Sequence, residues 1–259
     1  MENFSIFFGF LPIFFGFFLF FWFGFFIFKK LKIGIEKIQK EKNEFSEKIE
    51  KFARTKNFQF YRKDEINFSA KISNLQKNWR WNRWNFPKNI LKIDEKNFLF
   101  FGISHLPAGK NNVRNFSDTV FWHEKNRDFS HKIIIFSQRI FSKNFPVQNS
   151  IFQNTAKFFS KITPNNYQIS NLQKINFSGE FFDFHKIFSD APPKKVEKFL
   201  TPNWQNFLIE AENFFDTDFA IEILGNQIAI VARRFLKTEN EIEKFLDFAK
   251  KMKNFSATF

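Results

Sequence analysis

Four histidines are the residues best suited to acid–base or metal chemistry, because the chain contains no cysteine. They are His105, His123, His131 and His185, and no two of them form an H-x-x-x-H or H-E-x-x-H motif. The absence of cysteine also excludes disulfides, thiolate nucleophiles and cysteine-based metal sites. We therefore predict neither a metal site nor a cofactor.

Two local arrangements would still bring a histidine to a polar partner. A hairpin predicted over residues 118–140 would place His123 opposite His131. In the segment FDFHK, a strand would point Asp183 and His185 to the same face. Simple alternation, with the polar face in solvent, explains the same residues, and we favour that interpretation.

Phosphate-binding and acyl-transfer motifs are also missing. Six residues separate Gly102 from Gly109 where a P-loop has four, and Asn111 stands where a serine or threonine would bind magnesium. No G-x-S-x-G occurs, so the usual nucleophile turn of hydrolases is absent. These observations identify no catalytic residue and argue against an enzyme. A site assembled in space from distant residues would leave no such motif.

The segment NWRWNRWNF, residues 78–86, combines aromatic and cationic side chains. Its tryptophans and arginines are Trp79, Arg80, Trp81, Arg83 and Trp84. This mixture suits single-stranded nucleic acid, where bases stack on indoles. It equally suits a membrane interface, where indoles and arginines lie at headgroup depth. The third interpretation is structural, with tryptophans that cap the sheet and arginines stacked on them.

The first element of the chain is a long uncharged run. Residues 4–28, FSIFFGFLPIFFGFFLFFWFGFFIF, exceed the length of about 20 apolar residues that a membrane-crossing helix needs. A cleaved signal peptide fits less well, because the only early charge is Glu2 and no A-x-A-like site follows. We predict a transmembrane anchor over residues 1–28.

Basic residues follow the anchor directly and predict its orientation. Lys29, Lys30 and Lys32 come immediately after the run, and nothing basic precedes it. Cationic flanks stay on the cytoplasmic side, so the N-terminus is expected outside and residues 29–259 in the cytoplasm. Glu2 is the only one of the 26 acidic residues before Lys29, so this part carries 40 basic and 25 acidic residues, a formal charge of +15. Such a domain suits the anionic inner leaflet of the cell membrane.

Residues 29–56 predict a basic juxtamembrane helix. Its apolar stripe has alternate spacings of four and three, which is typical of a coiled-coil seam. The stripe consists of Leu31, Ile35, Ile38, Phe45, Ile49 and Phe52, and a lysine, Lys42, occupies the remaining position. We favour a stalk helix whose stripe packs on its own domain, and a homodimer through this helix is the alternative.

Residues 57–259 mix strands and helices without regular alternation, which predicts an α+β domain with a mainly antiparallel sheet. Strands are expected near 58–62 and over 97–106, 118–124, 129–140 and 180–188, and a helix over 149–162. Thr201 and Pro202 predict a helix start, and Thr238 with Glu241 a capping box. Gly225-Asn226 predicts the turn of a hairpin.

The order of these elements resembles a family of uncharacterised bacterial proteins with one N-terminal membrane helix and a cytoplasmic domain of unknown function. The resemblance covers an early F-x-F at Phe58 and Phe60, the stretch FPVQNSIFQNTAKFFSKI, and the segment INFSGEFFDFHKIFSDAPPKKVEKFLTPNWQNFL with its LTP at Leu200. The terminal hairpin and helix over residues 218–253 match as well. The family implies no activity, cofactor or catalytic residue.

The function we infer from the sequence is that of a single-pass, non-enzymatic interaction or scaffold protein in the inner membrane. Its expected partners are membrane lipids and an unidentified protein. The alternative is a membrane-tethered nucleic-acid-binding protein that uses the segment 78–86.

Overall fold

The computed structural model describes the backbone of residues 2–77, 87–107, 113–125, 131–137 and 172–256. It describes their side chains except at residues 2–21, 23–24, 73–77, 104–107, 113–116 and 255–256. The chain divides into two units, residues 1–48 and residues 49–259.

Helix α1 runs from Glu2 to Thr55. Its residues up to 48 belong to the first unit, and its last turns belong to the second unit. Residues 29–55 are therefore helical, as predicted, and directly continue the N-terminal helix. Pairs of opposite charge four residues apart stabilise it, for example Glu50 with Arg54 at 2.6 Å.

The second unit is built around one antiparallel sheet, nine strands of which lie within the described residues, and this confirms the predicted α+β class. The strands are β1 (Gln59–Tyr61), β2 (Lys88–Lys92), β3 (Asn97–Pro107), β4 (Val113–Glu124), β5 (Ile133–Ser137), β6 (Gln173–Ile175), β7 (His185–Ser189), β8 (Phe219–Leu224) and β9 (Gln227–Ala232). Their order across the sheet is β1-β2-β3-β4-β9-β8-β5-β7-β6.

The helices of the second unit follow the local signals in the sequence. The described helices after α1 are α2 (Phe68–Lys77), α3 (Glu180–Phe184), α4 (Pro193–Phe199), α5 (Pro202–Phe215) and α6 (Glu239–Ser256). Thr201 caps α5 by accepting a hydrogen bond from the backbone N–H of Trp204. Thr238 and Glu241 form the predicted capping box, because each side chain accepts from the other's backbone N–H.

Both faces of the sheet are covered, and successive residues of a strand belong to opposite faces. On one face, Phe68 and Ile72 of α2 pack on a cluster that includes Phe98 and Trp122. On the other face, Phe219 contacts Phe215 of α5 and Phe245 of α6. Strands β8 and β9 are buried along their whole length, which explains why all their residues except Glu222 and Gln227 are apolar.

The predicted hairpin over residues 118–140 is wrong, although strands β4 and β5 both exist. Strand β4 pairs with β3 on one side and with β9 on the other. Strand β5 pairs with β8 and β7. The hairpin of β8 and β9, with its turn at Gly225 as predicted, is inserted between the two strands. His123 and His131 therefore do not face each other.

The strand predicted over residues 180–188 is correct only from His185 onward. Residues 180–184 form the short helix α3, and strand β7 begins at His185. Asp183 and His185 consequently do not share a strand face. The helix predicted over residues 149–162 lies outside the described residues.

Candidate functional site

A buried histidine–glutamate pair links α5 to β7. His185 Nε2 lies 3.1 Å from Glu212 Oε1, and the two side chains are 1% and 0% exposed. The other imidazole nitrogen, Nδ1, lies 2.7 Å from the backbone oxygen of Phe181. The carbonyl can only accept, so Nδ1 carries the hydrogen that is donated to it. The Phe181 ring stacks on the imidazole at 3.8 Å between centroids.

The surroundings of this pair are apolar, and no described residue completes its hydrogen bonding. Glu212 Oε2 and the indole nitrogen of Trp204 are buried without a hydrogen-bond partner among the described residues. Trp204 packs edge-on against Phe181, 6.3 Å away between centroids. A pair with so little exposure is not accessible to a substrate, and we assign it to holding α5 on the sheet.

Sequence reasoning placed His185 on a solvent-facing strand surface and did not identify Glu212. The sequence did contain a signal for both residues, namely apolar residues spaced four apart, as on one face of a helix. Phe181 and His185 are four residues apart, and the turn of α3 stacks their rings. Trp204, Leu208 and Glu212 are also successive positions at a spacing of four, so Glu212 falls on the buried stripe of α5.

His123 lies in a different environment at the end of β4. Its Nδ1 donates to Asn97 Oδ1 at 2.9 Å, and the Asn97 amide donates to Asp94. Burial and, to a smaller extent, the nearby Lys253 ammonium together lower the pKa of His123 to about 4. The imidazole is therefore neutral at physiological pH.

This low pKa predicts that acid destabilises the second unit between pH 6.5 and pH 4. The unfolded chain binds a proton at His123 near pH 6.5, but the folded protein binds it only near pH 4. The free energy of unfolding should therefore fall as the pH falls through this window, by at most about 1.4 kcal/mol per pH unit. Urea denaturation at several pH values should show a smaller slope for His123→Gln. Equal slopes in both proteins would contradict the prediction.

Of the two remaining histidines, only His131 has a described side chain. His131 Nδ1 lies 3.5 Å from Asp190 Oδ1 near the start of β5. His105 is on β3, and its side chain lies outside the described residues. Among the described side chains, no three histidines, aspartates or glutamates come together as a metal site would require.

The most unusual surface is on α1. The described apolar side chains between residues 22 and 38 are more than half exposed, although apolar side chains of this size are normally buried. We call this set the stalk surface: Trp22, Phe25, Phe26, Ile27, Phe28, Leu31, Ile33, Ile35 and Ile38. Patches of this kind mark contacts with a membrane or with another protein.

The predicted membrane-flanking lysines lie on α1 between residues of the stalk surface. Lys29, Lys30 and Lys32 are all exposed. The ammonium of Lys30 lies over the Phe26 ring, 5.2 Å from its centroid. Lysine stems that lie along apolar surface while their charge stays in water are typical of a membrane boundary.

The structure describes the N-terminal run only in part, and it does not describe the Trp/Arg segment. None of the helices within the described residues combines the length and the apolar character needed to cross a membrane. Apart from Trp22 and Phe25–Phe28, the side chains of the predicted span 4–28 lie outside the description. Residues 79–84, with Trp79, Arg80, Trp81, Arg83 and Trp84, lie outside it completely.

Comparison with known proteins adds a fold likeness and no assignment. No protein-family model matches the chain. No curated protein matches its sequence either. Among solved structures, the chain is similar to the mycobacterial trehalose monomycolate transport factor A, TtfA, at 9% identity and a TM-score of 0.48. The match covers 82% of this chain and 93% of that one. A likeness at this level carries no inference about function.

Proposed function

We propose that this chain is a single-pass membrane protein that presents a basic α+β interaction domain to the cytoplasm and has no enzymatic activity. The observation that carries the proposal is the uncharged run over residues 4–28, followed at once by Lys29, Lys30 and Lys32.

The free energy of insertion supports the anchor. Central leucine, isoleucine and phenylalanine residues each favour insertion by about 0.3–0.6 kcal/mol, and the run consists mainly of these types. The backbone of α1 is helical across the whole run, so its amide groups are hydrogen-bonded within the helix. The exposed side chains of Phe25–Phe28 fit the cytoplasmic end of such a span.

The absence of sequence motifs and the burial of the His185–Glu212 pair support a role in interaction rather than catalysis. The formal charge of +15 on residues 29–259 favours anionic partners, among which the headgroups of the inner leaflet are the nearest.

A paired substitution tests the anchor. Phe14→Asp with Phe18→Asp places two carboxylates near the centre of the run, at a cost of about 2.5–3.5 kcal/mol each. The variant should leave the membrane fraction under a carbonate wash, whereas the unchanged chain should remain there. Gln39→Asp with Asn43→Asp adds the same charge outside the run and should remain in the membrane. Loss of the unchanged chain during the wash would contradict the proposal.

The orientation has its own test. A reporter fused after Phe259 should be active only in the cytoplasm, because Lys29, Lys30 and Lys32 resist transfer across the membrane. Replacement of these three lysines by glutamine should allow a measurable fraction of inverted chains. A reporter found outside intact cells for the unchanged chain would refute the orientation.

The second candidate function is nucleic-acid binding by a membrane-tethered protein. It derives from Trp79, Trp81 and Trp84 with Arg80 and Arg83 in one short segment. If it is correct, alanine at the three tryptophans should reduce retention on single-stranded RNA at low salt. The first proposal expects no such reduction, and it expects weaker binding to anionic vesicles if the segment contacts lipid.

A further inference from the structure

The apolar seam of α1 divides into a covered and an uncovered part. Ile49 and Phe52, in the second unit, are each 1% exposed. Leu31, Ile35 and Ile38, in the first unit, are 58%, 66% and 52% exposed. Our preferred interpretation, a stripe packed on its own domain, therefore holds only for the C-terminal end of the seam.

We propose that the uncovered part of the seam, residues 31–42, pairs with the same residues of a second copy in a parallel two-stranded coiled coil. This inference rests on the membrane anchor proposed above, because anchored copies share one orientation and one surface. Confinement to a membrane also raises the effective concentration of one helix near another. That contribution matters because a seam of this length is short for a coiled coil in solution.

The residue types of the seam favour two strands. In the heptad register of the seam, Ile35 and Lys42 occupy a positions, and Leu31 and Ile38 occupy d positions. Ile35 at a with Leu31 at d is the combination that favours parallel dimers, whereas Ile38 at d taken alone would favour larger assemblies. A lysine at a single a position disfavours larger assemblies, in which its charge would be enclosed.

Charge complementarity supports a second copy as the occupant. In a parallel coiled coil, the side chain at heptad position a inserts between four side chains of the facing helix. One of these four is at the g position that directly precedes the facing a position. Lys42 would thus lie beside the partner's Glu41, and the partner's Lys42 beside Glu41. The flanks do not oppose the pairing, because Gly34 and Gln39 at g and e carry no charge and Lys32 at e faces the uncharged Ile27 at g.

The absence of cysteine allows a disulfide scan of the seam in the full chain. Single cysteines at Ile35→Cys and Ile38→Cys are placed on the seam, and Glu36→Cys and Lys40→Cys provide exposed controls at outer positions b and f. All four changes are at exposed sites, so the fold should be retained. Mild oxidation is applied to membranes that contain each variant.

The seam variants should form disulfide dimers of twice the chain mass at about five-fold or more the yield of the outer variants, because a disulfide needs Cβ atoms about 4 Å apart. The yield at Leu31→Cys should fall to the level of the outer variants when Ile35→Lys is added. Equal yields at all positions would overturn the proposal. So would adducts of another mass, which would identify a different protein on the seam.

Failure of the dimer and failure of the anchor give different results. The same samples are divided into membrane and soluble fractions before oxidation. A chain that stays in the membrane but shows no seam preference refutes the dimer alone. A chain that leaves the membrane refutes the anchor, and the disulfide yields in the soluble fraction still decide whether the seam pairs.

Discussion

Replacement of His185 by leucine is expected to lower the free energy of unfolding by about 3–5 kcal/mol. The substitution removes the partner 3.1 Å from Glu212 Oε1. Because Glu212 Oε2 already has no hydrogen-bond partner among the described residues, the carboxylate would be buried with neither oxygen satisfied. Leucine also does not restore the hydrogen bond from Nδ1 to the Phe181 carbonyl.

Two further variants separate this effect from loss of packing. Glu212→Gln keeps an amide beside His185 Nε2 and should cost less than His185→Leu. The double change His185→Leu with Glu212→Leu removes both polar groups, so it should recover most of the lost stability. Urea denaturation of the full chain in mild detergent measures all three. If the double variant is no more stable than the single one, the unpaired carboxylate is not the cause.

Phe68→Ala should have an effect of similar size on the opposite face of the sheet. Phe68 is fully buried and contacts the rings of Phe98, Phe100 and Trp122 at centroid distances of 4.8, 5.2 and 5.4 Å. Truncation of a buried phenylalanine costs about 3–5 kcal/mol. Helix α2 is short, and Phe68 provides much of its contact with the sheet, so its amide hydrogens should also exchange faster.

Phe214→Ala is the matched control, because it removes the same ring from a helix position that is 50% exposed. The Lys244 ammonium lies over its ring, 4.2 Å from the centroid, and we expect a loss of about 1 kcal/mol or less. Near-ultraviolet circular dichroism should change for Phe68→Ala through the environment of Trp122. A loss below that of Phe214→Ala would contradict the assignment of Phe68 to the core.

The structural features that could be predicted from the sequence were those that depend on interactions between residues close together in the chain. Thr201 caps α5, and Thr238 with Glu241 starts α6, because each involves groups within three residues of one another. Gly225 has a φ of +59°, a conformation that favours glycine, and it forms the predicted hairpin turn. The apolar, phenylalanine-rich composition of residues 97–106 similarly indicated β3.

The order of the strands could not be read in this way. Polar residues after β4 signalled that the chain turns, but such a signal does not specify which edge the next strand joins. The long pairing with β3 occupies one edge of β4, and the hairpin from residues 219–232 occupies the other. Strand β5 is consequently placed beside β8, far from its neighbour in sequence.

In the seam of α1, too, one property could be predicted from the sequence and another depended on the tertiary structure. Its periodicity over residues 31–52 was visible in the sequence, because the spacing of a helix is a local property. Which of its residues are covered depends on where the second unit begins. Ile49 and Phe52 pack in that unit's core, whereas Leu31 and Ile38 stay exposed.

Helix caps, the hairpin turn, the periodicity of α1 and the uncharged run therefore follow from the amino-acid order, because their free energies arise between near neighbours or between a side chain and its solvent. The order of the nine strands and the burial of His185 beside Glu212 arise from contacts between residues far apart in the chain. Many pairings are compatible with the same local pattern, and only the packing of both sheet faces selects one of them.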